Sequence, residues 1–297
     1  MTLARINAGS IVEAVGLNPH ASSGRLLSWF VRGPAQRFAA RLAAFDRRVG
    51  ELGLPAGATW LLERSIGQLE VGGERHLPET GPALLVANHP GLTDTMALSA
   101  AIQRPDLRIV AADRAFLRAL PAVSQRLFIL GSEPGPRLTA IRALRAHLQT
   151  GGVVLTFPAG RIEPDPALHP ERAARLDGWA ERLETLGRLG GNVPIIPCVV
   201  SGVLSDRAQR HPLTFLRRRQ DDRAWLGATL QLIDPRFQSV TVRVAFGAAI
   251  QPEPHHGKDL GEVIANGMRG LMRTPPEIWH RVLPRPHAAS GRFTRPA

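Results

Sequence analysis

Between residues 82 and 246 the chain places short apolar segments among longer amphipathic ones. Seven of the short segments are rich in β-branched and other apolar residues and have the length of strands: 82–88, 107–112, 126–130, 151–157, 193–200, 228–233 and 240–246. Helical spacing of apolar residues predicts four helices between the earlier strands: 94–103, 115–125, 138–149 and 171–189. Strands separated by helices favour an α/β domain with a mainly parallel central sheet covered by helices.

The flanking segments have different patterns. In residues 35–50 an apolar stripe at helical spacing, from Phe38 to Val49, predicts one of several N-terminal helices. We therefore expect an N-terminal helical segment over 1–75, the α/β domain over 76–274, and a flexible tail over 275–297, which is rich in Pro, Arg and His. The last two strands, close in sequence, are expected to pair antiparallel.

Composition adds a strong positive charge. The 297 residues carry a formal net charge of +12, and Lys258 is the only lysine beside many arginines. Such a charge favours an anionic partner: a phosphorylated substrate, an acidic carrier, an anionic membrane or a nucleic acid. A nucleic-acid partner is not expected, because the chain has no tyrosine and no recognition motif.

Other sequence features bear on compartment and metal binding. Cys198 is the only cysteine, which excludes an intrachain disulfide and a four-cysteine metal site. No apolar run approaches the ~20 residues that span a bilayer, and no signal peptide is recognisable at the N-terminus. We therefore expect a cytoplasmic protein whose contact with the inner face of the membrane would be peripheral.

The segment LLVANHPGLTD, residues 84–94, ends a predicted strand in a tight turn that holds His89 and Asp94 five residues apart. One interpretation is a surface turn followed by a helix cap, in which Thr93 or Asp94 accepts hydrogen bonds from free backbone N–H groups. The other is a general base and the carboxylate that orients it. The segment alone does not decide between them.

A second unusual turn favours the catalytic interpretation. FPAGRIEP, residues 157–164, follows the strand 151–157 just as His89 follows the strand 82–88. Ligands of parallel sheets gather at the carboxyl ends of the strands. If the two strands are parallel neighbours, the two turns meet at one edge of the sheet.

These segments resemble a known family. NHPGLTD is similar to the Asn-His-x4-Asp motif of the glycerophospholipid acyltransferase superfamily, the relatives of lysophosphatidic acid acyltransferase. The family's other blocks are resembled, in order, by ADRAFLRALPAVSQRLFIL (112–130), GPRLTAIRALRAHLQTGGVVLTFPAG (135–160) and VPIIPCVVSG (193–202). The third block departs from the common Phe-Pro-Glu-Gly-Thr-Arg: this chain has Ala159 in place of the glutamate and Arg161 one position early. Glu163 and Asp165 follow shortly after, and the departure bears on the identity of the acceptor.

The resemblance implies an acyltransferase that needs no cofactor and no metal. The acyl donor would be acyl-coenzyme A or an acyl carrier protein, and the acceptor a hydroxyl of a lysophospholipid or related lipid. His89 would be the general base and Asp94 its orienting carboxylate. The implied substrate-binding residues are Asn88, Arg137, Phe157, Pro158, Gly160, Arg161 and Pro197. Backbone N–H groups of the glycine turn would stabilise the oxyanion. Two alternatives stay open: transfer to a different alcohol or amine, and a non-catalytic lipid-binding protein on the same scaffold.

One further segment, HPLTFLRRRQDDRAWLG (211–227), combines arginines with apolar residues. It is typical of a membrane-facing patch, in which basic groups meet anionic head groups and aromatic residues enter the interface. The alternative is a solvated loop whose apolar side chains pack inward.

Overall fold

The structure is a computed structural model that describes residues 3–16, 18, 21, 29, 31–91, 93–179, 182–183, 191–252 and 260–283. Its core is one sheet of eight strands: β1 Gln68–Gly72, β2 Ala83–Ala87, β3 Arg108–Ala112, β4 Leu127–Leu130, β5 Val153–Thr156, β6 Ile195–Ser201, β7 Thr241–Phe246 and β8 His280–Leu283. The strand order is β4-β3-β5-β2-β6-β7-β1-β8. Five of the seven neighbouring pairs are parallel, and β6–β7 and β1–β8 are antiparallel. The predicted fold class, an α/β domain with a mainly parallel sheet, is confirmed.

Helices cover both faces of this sheet. The α-helices are Leu3–Val15, Arg32–Leu52, Leu54–Leu62, Asp94–Ile102, Ala115–Arg118, Pro121–Ser124, Pro134–Gln149, Pro170–Ala173, Asp206–Gln209, Gln220–Ile233 and Leu260–Arg273. Short 3-10 helices span Glu74–His76, Pro212–Leu216 and Pro235–Phe237. One apolar cluster joins a sheet face to the helices Arg32–Leu52, Leu54–Leu62 and Asp94–Ile102. A second cluster joins the other face to Pro134–Gln149 and Leu260–Arg273. Every residue of β2 is consequently buried, as its uniformly apolar sequence predicts.

The N-terminal stripe takes its predicted place. In the helix Arg32–Leu52 the residues Leu42, Phe45 and Val49 are buried against the sheet cluster, and Phe38 packs beside them partly exposed. A Cβ on Gly57 of the next helix would lie 2.5 Å from Val49, so a glycine is needed for the two helices to pack this closely.

The predicted strand over 228–233 is wrong, because these residues form the last turns of the helix Gln220–Ile233. The alternation of Leu230 and Leu232 with polar residues is typical of a strand, but burial along the segment does not alternate. Gln231 is buried, and its polar atoms are satisfied there: its side chain accepts a hydrogen bond from the Ser205 N–H and donates one to the Val203 carbonyl. The expected antiparallel pair is therefore not formed by these two segments; β7 instead pairs antiparallel with β6.

The two ends of the sheet extend beyond the predicted α/β segment. β1 precedes residue 76 and pairs parallel with β7, and β8 follows residue 274 and pairs antiparallel with β1. The predicted tail over 275–297 therefore starts too early, because residues 280–283 gain backbone partners along an exposed sheet edge that composition alone does not reveal. Residues 284–297 lie outside the described residues. Of the predicted helix over 171–189, residues 180, 181 and 184–189 lie outside them as well. Among the described helices, none combines the length and the apolar character needed to cross a membrane.

Candidate active site

The first turn of the site begins where β2 leaves the sheet. Asn88 is buried, and its side chain extends the β2–β6 pairing: Nδ2 donates to the Val200 carbonyl at 2.8 Å, and Oδ1 accepts from the Val200 N–H at 2.7 Å. Both bonds together hold the backbone that precedes His89. The structure thus gives Asn88 a positioning role beneath the site, and its contact with a substrate stays a prediction.

His89 and Asp94 are paired across the turn. His89 Nδ1 lies 2.7 Å from Asp94 Oδ2, and the histidine side chain is 26% exposed while the aspartate side chain is fully buried. No described residue provides a hydrogen-bond partner for Nε2, the other ring nitrogen. The imidazole therefore has one nitrogen fixed by a carboxylate and the other available for a ligand.

Asp94 is surrounded by donors. Besides His89, its Oδ2 accepts the Gly91 N–H at 3.0 Å, and its Oδ1 accepts both the backbone N–H and the hydroxyl of Thr95. Thr95 belongs to the first turn of the helix Asp94–Ile102, and Thr93, at the N-cap position, makes no side-chain cap. Asp94 therefore serves the helix end and the histidine at once, so both interpretations of the turn describe part of what this carboxylate does.

The electrostatic environment raises the pKa of His89. Burial lowers the pKa of His89, but the charge of Asp94, its hydrogen bond to the ring and the charge of Glu163 raise it, and the net pKa lies above the ordinary value for histidine. A neighbouring carboxylate stabilises the imidazolium that a general base becomes when it takes a proton.

The second turn meets the first. β2 and β5 are parallel neighbours, with Val86 opposite Thr156, so the residues that follow them leave the same edge of the sheet. The ring of Phe157 lies 4.8 Å from the His89 ring, centroid to centroid. Farther along, the Glu163 N–H donates to the His89 carbonyl at 2.8 Å. The sequence-based expectation that the two turns meet agrees with this geometry.

The side chain of Glu163 also binds the turn that carries His89. Its Oε2 accepts the His89 backbone N–H at 2.9 Å, and its Oε1 accepts the Trp179 indole N–H at 2.7 Å. Glu163 and Trp179 are both buried. Burial raises the pKa of Glu163 above the ordinary value for glutamate, and the hydrogen bonds from Trp179 and the His89 backbone oppose that rise.

The glycine turn between Phe157 and Glu163 is fixed from outside. Gly160 has φ 61°, a conformation that favours glycine, and its N–H donates to the Phe157 carbonyl at 3.0 Å. Arg182 donates to the carbonyls of Pro158 and Ala159. Because the Gly160 N–H is already used inside the turn, it is not an oxyanion donor in this geometry. Ala159, where the family commonly has glutamate, is buried.

Asp165 organises the neighbouring loop. It is fully buried, and its carboxylate accepts the backbone N–H groups of Ala167, Gly202 and Leu204, each at 2.9 Å. Residues 202–204 follow β6 and pack against the His89 turn, where a Cβ on Gly91 would lie 2.6 Å from Val203. Asp165 is thus a structural residue that fixes one wall of the site.

The remaining predicted substrate-binding residues differ in their distance from His89. Arg161 is exposed and lies in the turn whose two ends, Phe157 and Glu163, contact His89. Arg137 is exposed on the helix that follows β4. The strand β4 lies three strands from β2, about 14 Å across the sheet. Pro197 is buried in β6 beside Gly247, where a Cβ would lie 2.9 Å from its ring, and its contact with a substrate stays a prediction.

The sequence did not predict the outer residues of the site. Trp179 and Arg182 fix the second turn, but they lie far along the chain in a segment without a motif. The sequence places Glu163 just beyond the altered block and assigns it no contact with His89. Among the described residues, no group of three or more His, Cys, Asp or Glu side chains is arranged to hold a metal ion.

The fold and this site define an α/β protein with a histidine–carboxylate pair at the carboxyl edge of its parallel strands. Residues 68–201, from β1 to the end of β6, match the model of the Acyltransferase family. The resemblance to the glycerophospholipid acyltransferase superfamily is thereby confirmed. The crystal structure of the 1-acyl-sn-glycerophosphate (LPA) acyltransferase PlsC from Thermotoga maritima is similar to this chain, with 16% identity and a TM-score of 0.44, over 90% of this chain and 88% of that one. No curated protein matches this chain.

Proposed function

We propose that this protein transfers a fatty acyl group from a thioester, acyl-coenzyme A or acyl carrier protein, to a hydroxyl of a lysophospholipid. The observation that supports this most strongly is the 2.7 Å contact between His89 Nδ1 and the buried Asp94 carboxylate. The contact fixes one tautomer, with the proton on Nδ1, and leaves Nε2 as the basic atom.

In the proposed reaction one proton moves from the acceptor to His89 and then to the leaving thiolate. Nε2 of His89 takes the hydroxyl proton while the hydroxyl oxygen attacks the thioester carbonyl, which gives a tetrahedral oxyanion and an imidazolium. The oxyanion then collapses, the carbon–sulfur bond breaks, and the thiolate leaves and receives the proton from His89. An ester and a free thiol result. No nucleophilic side chain is required, because the acceptor itself attacks.

The phosphate of a lysophospholipid would be bound by Arg161. Its guanidinium can bind a phosphate with two parallel hydrogen bonds, and the turn that carries it adjoins His89. Arg137, farther along the same edge, would extend this positive surface toward the donor. Ala159, which replaces the family's usual glutamate, is the residue that leaves another alcohol or an amine as an alternative acceptor.

An acceptor panel tests this assignment. Purified protein is incubated with labelled acyl-coenzyme A or acyl carrier protein and with lysophosphatidic acid, monoacylglycerol or an amino-lipid, and products are identified by mass. We expect lysophosphatidic acid to be preferred, and Arg161→Gln to raise its KM about 10- to 100-fold, the equivalent of ~1.5–3 kcal/mol for a charged hydrogen bond. Arg75→Gln, the same change at the opposite edge of the sheet, serves as control. Equal use of the phosphate-free acceptor would contradict the phosphate assignment and leave acyl transfer itself intact.

Glu163 is expected to set the pH range of the reaction. The charge of Glu163 helps to raise the pKa of His89, and kcat/KM requires neutral His89. Removing that charge in Glu163→Gln should lower the pKa of His89, so the acidic limb of the pH profile should move to lower pH. Glu171→Gln, the same change at an exposed site, should leave the limb in place. If the acidic limb of the pH profile did not move in folded Glu163→Gln, Glu163 would act only through its hydrogen bond to the His89 backbone.

A further inference from the structure

An exposed apolar tip lies on the 3-10 helix Pro212–Leu216. Leu213, Phe215 and Leu216 are 46%, 63% and 65% exposed, while Thr214 between them is buried. Single exposed apolar residues are ordinary on protein surfaces, but three within four residues form a patch. The alternative stated for this segment, in which its apolar residues pack inward, is wrong for these three, although Leu226 does pack inward.

Positive charge surrounds the apolar tip. From residue 206 to residue 236 the sequence has seven arginines and four aspartates. On one side a shallow cavity of about 300 Å³ is lined by Arg207, Arg210, His211 and Arg236. On the other side Arg218 and Arg219 are exposed, and the Arg223 guanidinium lies 5.0 Å from the centre of the Phe215 ring. Apolar groups are thus at the centre and guanidinium groups at the margin.

Hydrogen bonds join the segment that carries the apolar tip to the loops of the candidate active site. The segment that carries it follows β6, whose carboxyl end lies beside that of β2. Its first residues are anchored by Asp165, which accepts the N–H groups of Gly202 and Leu204, and by Gln231, which binds Ser205 and Val203. A partner bound by the apolar tip would therefore be held on the same edge of the sheet as His89.

We propose that this surface docks on an anionic phospholipid bilayer, with the apolar tip among the acyl chains and the arginines on the phosphate groups. Charge complementarity identifies the occupant: a basic margin around apolar side chains is complementary to a surface that is anionic outside and apolar beneath. In the cavity Arg210 is paired with Asp206 and Arg236 with Asp234, so Arg207 would be the main contact for a head-group phosphate. The proposal stands apart from the proposed reaction, because none of its residues contacts His89 or Asp94.

Vesicle sedimentation tests this surface. Wild-type protein should bind vesicles of equal parts phosphatidylglycerol and phosphatidylcholine, and binding should weaken as salt rises. The double variant Phe215→Ser/Leu216→Ser should bind at least about tenfold more weakly, since withdrawing two large apolar side chains from lipid removes more than ~1.4 kcal/mol. Arg218→Glu/Arg219→Glu should bind only weakly to the same vesicles.

The matched control is Ile278→Ser, which removes an equally exposed apolar side chain (67%) near the opposite edge of the sheet. It should bind like the wild type, and melting temperatures should show that every variant is folded. If the wild type bound pure phosphatidylcholine vesicles as well as anionic vesicles, the proposed role of the arginines would be overturned. No vesicle binding by the wild type, or undiminished binding by the Phe215/Leu216 variant, would overturn the docking surface and point to a protein partner instead.

Discussion

Replacing His89 with alanine should reduce acyl transfer about 10²- to 10⁴-fold, the usual contribution of a general base. The imidazole is partly exposed, and only one of its nitrogens is fixed. Its loss removes the base at Nε2 while the backbone bonds between His89 and Glu163 stay in place. The melting temperature should therefore change little. Turnover is measured with labelled acyl-coenzyme A, and unfolding by thermal melting of the same sample.

The matched control is His169→Ala, at an exposed histidine elsewhere on the surface. This variant should retain wild-type turnover. If folded His89→Ala also retained full turnover, the turn that carries it would be architecture alone and the proposed mechanism would have to be abandoned. If His89→Ala lost both folding and activity, His89→Gln, which keeps a polar side chain of similar size, should restore the fold but not the turnover. An active His89→Gln variant would contradict the base assignment.

Replacing Asp94 with asparagine should cost both activity and stability. All four contacts of the carboxylate come from donors, at His89, Gly91 and Thr95, and the Asp94 side chain is fully buried. Asparagine accepts at one oxygen only, and its NH₂ group would face a donor, so we expect a loss of about 1–3 kcal/mol in the free energy of unfolding. The neutral amide also cannot stabilise the imidazolium and favours the wrong tautomer. Turnover should fall at least about 10²-fold.

Thr95→Val separates the two functions of Asp94. It removes the hydroxyl that donates to Oδ1 and leaves the contact between Oδ2 and His89. Stability should fall slightly, and turnover should stay within about tenfold of the wild type, because the lost bond contributes only ~1 kcal/mol. Melting curves and rates for Asp94→Asn and Thr95→Val are compared side by side. A less stable but fully active Asp94→Asn would mean that Asp94 serves only the helix end.

Much of the sheet could be predicted because its central strands are buried on both faces. β2, β5 and β6 are apolar almost throughout, which makes them recognisable as strands, and the helices between the strands predict the parallel arrangement. Residues 228–233 show the alternation of a strand at Leu230 and Leu232, but they continue a helix that begins at Gln220, which the short segment alone does not reveal. β8 is not evident from the sequence because its four residues, HRVL, lie in a segment rich in Pro, Arg and His, and its place depends on pairing with β1.

The candidate site, like the sheet, could be predicted only in part from the sequence. His89 and Asp94 lie five residues apart, so a tight turn suffices to bring them together, and the motif is readable locally. The partners of this turn are distant in sequence: Val200 is 112 residues from Asn88, and Glu163 is 74 from His89. Such contacts depend on the strand order, which local patterns do not contain. Pro197, assigned by resemblance, is buried in β6.

The most direct test of the proposed reaction is a single time course in which free thiol and acylated lipid are measured together. Wild-type protein is mixed with an acyl thioester, first without and then with lysophosphatidic acid. Direct attack by the acceptor with His89 as base predicts that thiol appears only after acceptor is added, in equal amount to the new ester, and that the mass of the protein stays unchanged throughout. Thiol release before the acceptor is added, together with an acyl group attached to the protein, would contradict it.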